Sequence, residues 1–361
     1  MTFLLLLAGL ILLVLGAEGL VRGASHLAAG FGISPLIIGL TVVAFGTSSP
    51  ELAVSIKAAL SDQASIALGN VVGSNIFNVL FILGLSALAA PLVVSQQLVR
   101  LDVPLMILLS VLMLVFGYDN SFSRLDGGLL FAGLISYIFF LIRQSRRESA
   151  AVEQEYAGEF AAEDRDEPGW LKNSLLVVGG LALLVLGSRW LVESAVTIAQ
   201  ALGLSEEVIG LTIVAAGTSL PEVVTSLIAT LRGKVDIAVG NIIGSNIFNI
   251  MGVLGLASLI SPTGMEVSSA LLRFDIPIMI TVAVACLPIF FTGNRISRFE
   301  GAILLGYYAA YTLFLILATS QHAALPRFNA AMLYFILPLT ALTLGIVALR
   351  EIRARKGRHS P

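Results

Sequence analysis

The stretch Gly69-Asn-Val-Val-Gly-Ser-Asn-Ile-Phe-Asn78 recurs 171 residues later as Gly240-Asn-Ile-Ile-Gly-Ser-Asn-Ile-Phe-Asn249. Eight of the ten positions are identical, and both differences exchange valine for isoleucine. The same offset relates Gly46-Thr-Ser-Ser-Pro-Glu51 to Gly217-Thr-Ser-Leu-Pro-Glu222. Motifs that recur in the same order and at one spacing indicate that the chain contains two copies of one structural unit.

The composition places these two units in a lipid bilayer. Of the 361 residues, 57% are hydrophobic and only 12% are charged, and the mean hydropathy is +0.95. An average soluble domain carries about 25% charged residues. The net charge of −2 gives no basic surface for nucleic acid, and the single cysteine, Cys286, excludes a disulfide framework. No nucleophile–base pair or metalloprotease motif indicates an enzyme, so we predict a polytopic membrane protein without enzymatic activity.

Uninterrupted apolar stretches of about 20 residues predict eleven membrane-spanning helices. They cover approximately residues 3–28, 35–60, 64–90, 101–117, 127–142, 174–200, 206–231, 236–260, 275–291, 300–319 and 330–349. Each copy of the repeat contains five spans. Because five is odd, the second copy enters the membrane from the opposite side. The predicted fold is therefore all-α, with two inverted five-helix repeats and an extra C-terminal helix.

This interpretation divides the chain into four segments. Residues 1–142 form the first repeat, and residues 174–320 form the second. Between them, residues 143–173 are a predicted cytoplasmic linker that carries eight acidic side chains and few apolar ones. Residues 321–361 contain the extra helix and a basic cytoplasmic tail.

The distribution of basic residues predicts the orientation. With an external N-terminus, sixteen Lys and Arg residues fall on the cytoplasmic side and four on the outside, while Arg189 lies within a span. Cytoplasmic loops of membrane proteins carry such an excess of positive charge. We therefore expect a multi-pass protein of the cell (inner or plasma) membrane with its C-terminus in the cytoplasm.

Glu51 and Glu222 lie about midway along the second and seventh spans, where a charge costs ~2.5–3.5 kcal/mol or more. Pro50 and Pro221 precede them, and each proline deprives a carbonyl near Gly46 or Gly217 of its helical hydrogen bond. Free carbonyls are tolerated at that depth only where they line a cavity or bind an ion. A cation or proton would offset both costs. The alternative is a pair of protonated, structural carboxylates.

Further oxygen donors accompany these glutamates. They are hydroxyls beside the two prolines and serine–asparagine pairs four residues apart on spans three and eight: Thr47, Ser48, Thr218, Ser219, Ser74, Asn78, Ser245 and Asn249. A set made only of oxygen suits Ca²⁺ or Na⁺ and not zinc or copper. Two glutamates balance one Ca²⁺ or two protons, so charge alone leaves the coupling ion open. For the serines and asparagines, hydrogen bonding between helices is the alternative role.

The paired motifs Gly-Thr-Ser-x-Pro-Glu and Gly-Asn-x-x-Gly-Ser-Asn-Ile-Phe-Asn resemble the α-1 and α-2 repeats of the calcium/cation antiporter superfamily. Within it, the chain is most similar to the bacterial sodium/calcium exchanger-like branch, over roughly residues 3–320. The resemblance implies ten core helices with breaks in the second and seventh, and exchange of Ca²⁺ for Na⁺ by sliding of the first and sixth. It implies no resident cofactor and no partner other than these ions and the bilayer.

The resemblance also implies a ligand set. Ca²⁺ would be bound by the carboxylates of Glu51 and Glu222 and by the carbonyls of Thr47 and Thr218. Na⁺ contacts would come from both glutamates together with Ala44, Thr47, Ser48, Ser74, Ala215, Thr218, Ser219 and Ser245. Asn78 and Asn249 would line the same central site.

Two positions bear on the choice of coupling ion. Some exchangers, including potassium-dependent ones, have aspartate where this chain has Asn249, which argues against potassium dependence. The proton-coupled branch usually has an asparagine-containing motif before the glutamate, where this chain has Gly-Thr-Ser. This difference favours Na⁺. Proton-coupled exchange by the same fold is the close alternative, and an uncoupled channel is a more distant one.

Overall fold

The computed structural model describes residues 2–160, 169–201, 215–291, 294–319 and 324–333. Within these ranges, eight helices are long and apolar enough to cross a membrane, and a ninth candidate is a helix pair bent by 48°. Large apolar side chains such as Phe3, Leu125 and Trp170 are 70–72% exposed. Such exposure fits a surface that contacts lipid.

The helical segments follow the predicted spans closely. The first half of the chain contains α1 (Thr2–Phe31), α2 (Pro35–Ile38), α3 (Ala44–Thr47), α4 (Ser49–Leu60), α5 (Ala64–Phe77), α6 (Gly84–Ala89), α7 (Val103–Phe116) and α8 (Arg124–Phe160). The second half contains α9 (Trp170–Ala201), α10 (Ala215–Gly217), α11 (Leu220–Leu231), α12 (Val235–Phe248), α13 (Gly255–Ile260), α14 (Ile276–Phe291), α15 (Arg298–Thr319) and α16 (Leu325–Ala331). π-Helical turns join α2 to α3 at Gly39–Val43, α5 to α6 at Asn78–Leu83 and α12 to α13 at Asn249–Leu254. Two more π-helical turns, Leu98–Asp102 and Leu271–Asp275, lead directly into α7 and α14.

The predicted linker is partly helical. α8 continues beyond the fifth span to Phe160, and α9 begins at Trp170. The eleventh predicted span, residues 330–349, lies outside the described residues from position 334 onward, as do residues 206–214 of the seventh span.

The first helices of the two halves, α1 and α9, cross in close contact through glycines. A Cβ atom on Gly16 would lie 2.8 Å from the carbonyl oxygen of Gly180, and one on Gly180 would lie 2.7 Å from that of Gly16. Gly9 and Gly187 face each other at the same two distances. Because 9 meets 187 and 16 meets 180, the two helices run antiparallel with their backbones in contact.

Two short strand pairs, which the sequence does not predict, join loops of the two halves. β1 (Leu92–Val93) pairs antiparallel with β4 (Arg295–Ile296). β2 (Ser121–Phe122) pairs antiparallel with β3 (Met265–Glu266). With two residues each, these strands are too short to show the alternating pattern by which a strand is recognised.

The third and eighth spans form the centre of the bundle. The most apolar stretches of Ala64–Ala89 and Val235–Ile260 are 78% and 89% buried, whereas that of Arg298–Ala318 is only 11% buried. Both copies of the repeated Gly-Ser-Asn motif lie on these two central spans. The fold therefore brings the two copies together in the interior.

Candidate ion-binding site

Both motif prolines lie at helix breaks, as the sequence predicts. In the second span, α3 ends at Thr47, Ser48 has φ −84° and ψ 9°, and α4 begins with Pro50 in its first turn. In the seventh span, α10 ends before Ser219, which has φ −88° and ψ 8°, and α11 has Pro221 in its first turn. Proline is tolerated in a first turn because the N–H groups there have no helical acceptor.

Each motif glutamate lies in the first turn after its break. Glu51 is 0% exposed and Glu222 is 1% exposed. The first turn of a helix presents unsatisfied N–H groups and the positive end of the helix dipole, which stabilise negative charge. The breaks thus place the positive ends of α4 and α11 at the two buried carboxylates.

The two glutamates are bonded reciprocally to the two halves of the chain. Ser48 Oγ donates to Glu222 Oε1 at 2.8 Å, and Ser219 Oγ donates to Glu51 Oε1 at 2.8 Å. Ser219 Oγ also lies 3.3 Å from Ser74 Oγ. The two carboxylates are close enough to interact electrostatically. Each half therefore supplies one glutamate and the serine that binds the other.

Asn78 and Asn249 lie one helical turn beyond Ser74 and Ser245, and each begins a π-helical turn. Both are 1% exposed. Their side-chain amides donate across the bundle, from Asn78 Nδ2 to Asn246 Oδ1 at 3.0 Å and from Asn249 Nδ2 to Asn75 Oδ1 at 3.1 Å. π-Helical turns inside α-helices occur frequently at functional sites.

Several buried oxygen atoms of this cluster have no hydrogen-bond partner in the described part of the chain. They are Glu51 Oε2, Glu222 Oε2, Asn78 Oδ1, Asn249 Oδ1, Thr218 Oγ1 and Ser245 Oγ. Buried polar atoms are nearly always paired in proteins, because an unpaired one costs free energy. Carboxylate, amide and hydroxyl oxygens are the donors that Ca²⁺ takes, so a bound cation of that kind fits this set.

Among the described residues, the carboxylates of Glu51 and Glu222 supply the charge of the site. The described residues contain no group of three or more His, Cys, Asp or Glu that could hold a metal ion. The other candidate donors near Glu51 and Glu222 are neutral. Carboxylate, amide and hydroxyl oxygens suit a cation such as Ca²⁺ better than a transition metal that prefers nitrogen or sulfur ligands.

The remaining predicted residues lie on the two short helices before the breaks, α3 and α10, and one prediction is corrected. Thr47 Oγ1 lies 3.0 Å from Asn241 Oδ1, Ala44 is fully buried in α3, and Ala215 lies in α10. The carbonyl of Gly217, which the sequence predicts to be free for a cavity or an ion, instead accepts a hydrogen bond of 2.6 Å from Ser188 Oγ. Pro221 has no N–H to donate to the Gly217 carbonyl, and the Ser188 hydroxyl on α9 supplies that hydrogen bond instead.

Sequence reasoning missed the asparagines that surround the candidate ligands. Asn75 and Asn246 accept from Asn249 and Asn78, as described above. Asn70 Nδ2 donates to the carbonyl of Glu51 at 3.1 Å. A signal for them was present, because all of these asparagines are identical in the two copies of the first motif and lie in otherwise apolar spans.

Comparison with known sequences matches the chain to one family over most of its length. The family described as "Sodium/calcium exchanger protein" matches residues 1–143 and 172–317. The chain belongs to the sodium/calcium exchanger family. Membership makes the protein a membrane transporter and not an enzyme, and it supports cation antiport as the activity.

Individual relatives of this exchanger-family protein are matched along nearly their full lengths. It is 41% identical to the putative antiporter CaxA of Alkalimonas amylolytica, over 84% of this chain and 95% of that protein. It is 36% identical to the sodium/calcium exchanger MaX1 of Methanosarcina acetivorans, over 87% and 98%. With the inner membrane protein YrbG of Escherichia coli it shares 42% identity over 78% and 86%. A multi-pass membrane location follows from these relatives and from the apolar helices.

The fold is also similar to that of a solved exchanger. The structure of the sodium-calcium exchanger NCX_Mj soaked with Na⁺ and Sr²⁺ superposes with a TM-score of 0.72 and 31% sequence identity. The match covers 85% of this chain and 96% of that one. The similarity therefore extends over most of this exchanger-family protein and is not confined to the two motifs.

Proposed function

We propose that this protein exchanges Ca²⁺ for Na⁺ across a cell membrane, by alternating access to one central site. The reciprocal bonding of Ser48 to Glu222 and of Ser219 to Glu51 carries the proposal. It occupies one oxygen of each carboxylate and leaves the other without a partner among the described residues. A cation between the two carboxylates supplies that partner. The relatives MaX1 and NCX_Mj, both named sodium/calcium exchangers, support the choice of ions.

Each predicted residue has a role in this proposal. Glu51, Glu222 and the carbonyls of Thr47 and Thr218 bind Ca²⁺. Na⁺ is bound by both glutamates and by Ala44, Thr47, Ser48, Ser74, Ala215, Thr218, Ser219 and Ser245, while Asn78 and Asn249 line the site. Two carboxylates neutralise one Ca²⁺, so the loaded site carries no net charge. A neutral site avoids most of the cost of holding charge inside a bilayer.

The proposed architecture has ten core helices in two inverted repeats, followed by an eleventh helix. The reciprocal glycine contacts of α1 with α9 and the two strand pairs support a two-fold relation between the halves. Exchange of the two halves converts the contact of Gly9 with Gly187 into that of Gly16 with Gly180, and the pair β1–β4 into the pair β2–β3. The excess of basic residues in every second loop supports an external N-terminus and a cytoplasmic C-terminus.

Alternating access in this proposal uses α1 and α9 as the moving pair. Their contact is made by Gly9, Gly16, Gly180 and Gly187, which have no side chains to interdigitate. Backbones in contact through glycine allow two helices to move together as one body. Movement of this pair past α3 and α10 exposes the site to one side of the membrane at a time.

Uptake of ⁴⁵Ca²⁺ into liposomes that contain the purified protein tests the proposed function. A Na⁺ gradient and a pH gradient are imposed separately, with the membrane voltage held constant. We expect uptake with the Na⁺ gradient and none above protein-free liposomes with the pH gradient in Na⁺-free buffer. Uptake driven by pH alone would contradict Na⁺ coupling and identify a proton-coupled exchanger. Uptake that ignores both gradients would identify a channel.

A further inference from the structure

Two asparagines outside the predicted ligand set form a layer behind Asn78 and Asn249. Asn75 Oδ1 accepts from Asn249 Nδ2 at 3.1 Å, and Asn246 Oδ1 accepts from Asn78 Nδ2 at 3.0 Å. Asn75 is 3% exposed and Asn246 is 1% exposed. Both candidate ligands therefore have their amide nitrogen engaged away from water, and their amide oxygen carries no hydrogen bond within the described residues.

The orientation of Asn75 is fixed by groups that accept hydrogen bonds but do not donate them. Its Nδ2 lies 3.6 Å from the sulfur of Met279 and 3.4 Å from the backbone carbonyl oxygen of Asn246. A thioether and a carbonyl have no proton to give. The NH₂ end of Asn75 must therefore face them, and its oxygen must face Asn249.

The orientation of Asn249 follows from that of Asn75. Because Asn75 presents an oxygen, Asn249 must turn its NH₂ group toward it. The oxygen of Asn249 then points away from Asn75. The other half repeats the chain of contacts, with Asn246 Nδ2 at 3.3 Å from the sulfur of Met106 and Asn246 Oδ1 accepting from Asn78.

We propose that Asn75 and Asn246 are positioning residues that turn the amide oxygens of Asn249 and Asn78 toward the transported cation, with Met279 and Met106 setting their direction. The inference rests on the proposed function. Its chemical basis is the asymmetry of the amide group, because the oxygen attracts a cation and the NH₂ group repels it. Reversal of either amide would exchange a ligand for a repulsive group at the same place.

Asn75→Leu tests this role, because leucine has a similar volume and no acceptor for the NH₂ group of Asn249. We expect about a tenfold loss of Ca²⁺ affinity, the size expected for one broken hydrogen bond in a buried network. The measurement is equilibrium binding of ⁴⁵Ca²⁺ to the purified full-length protein in detergent. Ser25→Ala is the matched control, because the Ser25 hydroxyl is buried and bonds only within its own helix in the contacts described.

The same substitution in an Asn249→Asp background separates positioning from structural support. A carboxylate presents oxygen in either orientation, so Asn75→Leu is expected to lower Ca²⁺ affinity less than about twofold there. Met279→Leu conserves the side-chain volume but removes the sulfur that faces Asn75 Nδ2. We expect it to weaken Ca²⁺ binding by about threefold when position 249 is asparagine, and to leave Ca²⁺ binding unchanged when position 249 is aspartate. It provides the same comparison if Asn75→Leu fails to fold.

The results distinguish this inference from the proposed function. If the unmodified protein binds no Ca²⁺, the proposed function fails and the positioning role fails with it. If the unmodified protein binds Ca²⁺ but Asn75→Leu and Met279→Leu have equal effects in both backgrounds, these residues support the fold only and the positioning role is wrong. Loss of affinity confined to the native background supports it.

Discussion

Ser48 donates a 2.8 Å hydrogen bond to Glu222, a residue 174 positions further along the chain. Both residues belong to the motif Gly-Thr-Ser-x-Pro-Glu, Ser48 to its copy in the first half of the chain and Glu222 to its copy in the second. The bond therefore connects the break in the second span with the glutamate that follows the break in the seventh span. Since Ser219 binds Glu51 in the same way, neither carboxylate can be displaced without loss of a contact in the other half.

Ser48→Ala and Ser219→Ala should each weaken transport by a similar amount. Each variant removes a hydroxyl that donates to one carboxylate and that is also a proposed Na⁺ contact. Loss of one hydrogen bond to a charged group costs about 1.5 kcal/mol, which corresponds to a roughly tenfold loss of affinity. We expect the Na⁺ concentration for half-maximal exchange to rise about tenfold. Ser49→Ala is the matched control, because the Ser49 hydroxyl bonds to the carbonyl of Phe45. Equal effects at positions 48 and 49 would contradict the prediction.

Gly180→Ala should destabilise the pair formed by α1 and α9, although alanine is the better helix former. The new Cβ would lie 2.7 Å from both the carbonyl oxygen of Gly16 and the amide nitrogen of Leu20, and backbone atoms cannot rotate away. We expect the free energy of unfolding to fall by about 1–3 kcal/mol, measured by denaturant titration in detergent.

The neighbouring Gly179→Ala is the control for that substitution. Apart from its chain neighbours and the backbone of its own helix, no described atom lies within 4 Å of a Cβ at position 179. The higher helix propensity of alanine should then raise the free energy of unfolding by a few tenths to about 1 kcal/mol. Opposite signs at two adjacent glycines are the expected result, and a loss of stability at both would argue against the close crossing.

Tyr137→Phe should destabilise the protein more than Tyr311→Phe does. Tyr137 Oη donates to Asp102 at 2.7 Å, and Tyr311 Oη donates to Asp275 at 3.0 Å. Asp102 is 0% exposed, whereas Asp275 is only half-buried, so water can replace the lost hydroxyl there. We expect a loss of about 1–2 kcal/mol for Tyr137→Phe and less for Tyr311→Phe. The reverse order in thermal unfolding experiments would show that burial of the aspartate does not decide the cost.

The helix breaks and the pairing of the two halves could be predicted from the sequence. Proline has no N–H with which to continue a helix, so Pro50 and Pro221 predict the two breaks from local chemistry. Recurrence of both motifs at one spacing predicts that the two copies meet at a shared site. The structure places both prolines in the first turn of a new helix, next to buried Glu51 and Glu222.

Contacts between distant positions could not be predicted in the same way. In the segment from Ser74 to Asn78, the sequence does not show which of Asn75 and Asn78 lies behind the other. Nothing in the spacing links Asn75 to Met279, which is 204 positions away. The bond from Ser188 to the Gly217 carbonyl is equally hidden, because the matching position in the first half is Ala17, which has no hydroxyl.

Uptake of ⁴⁵Ca²⁺ driven by a Na⁺ gradient in liposomes, measured for Glu51→Gln and Glu222→Gln, tests the proposed site most directly. Glutamine keeps the shape and one oxygen but removes the negative charge that balances the cation. We predict that each variant falls to the level of protein-free liposomes, while Glu193→Gln, at an exposed glutamate paired with Arg189, retains uptake. Uptake at the unmodified rate by either site variant would contradict a shared cation held between Glu51 and Glu222.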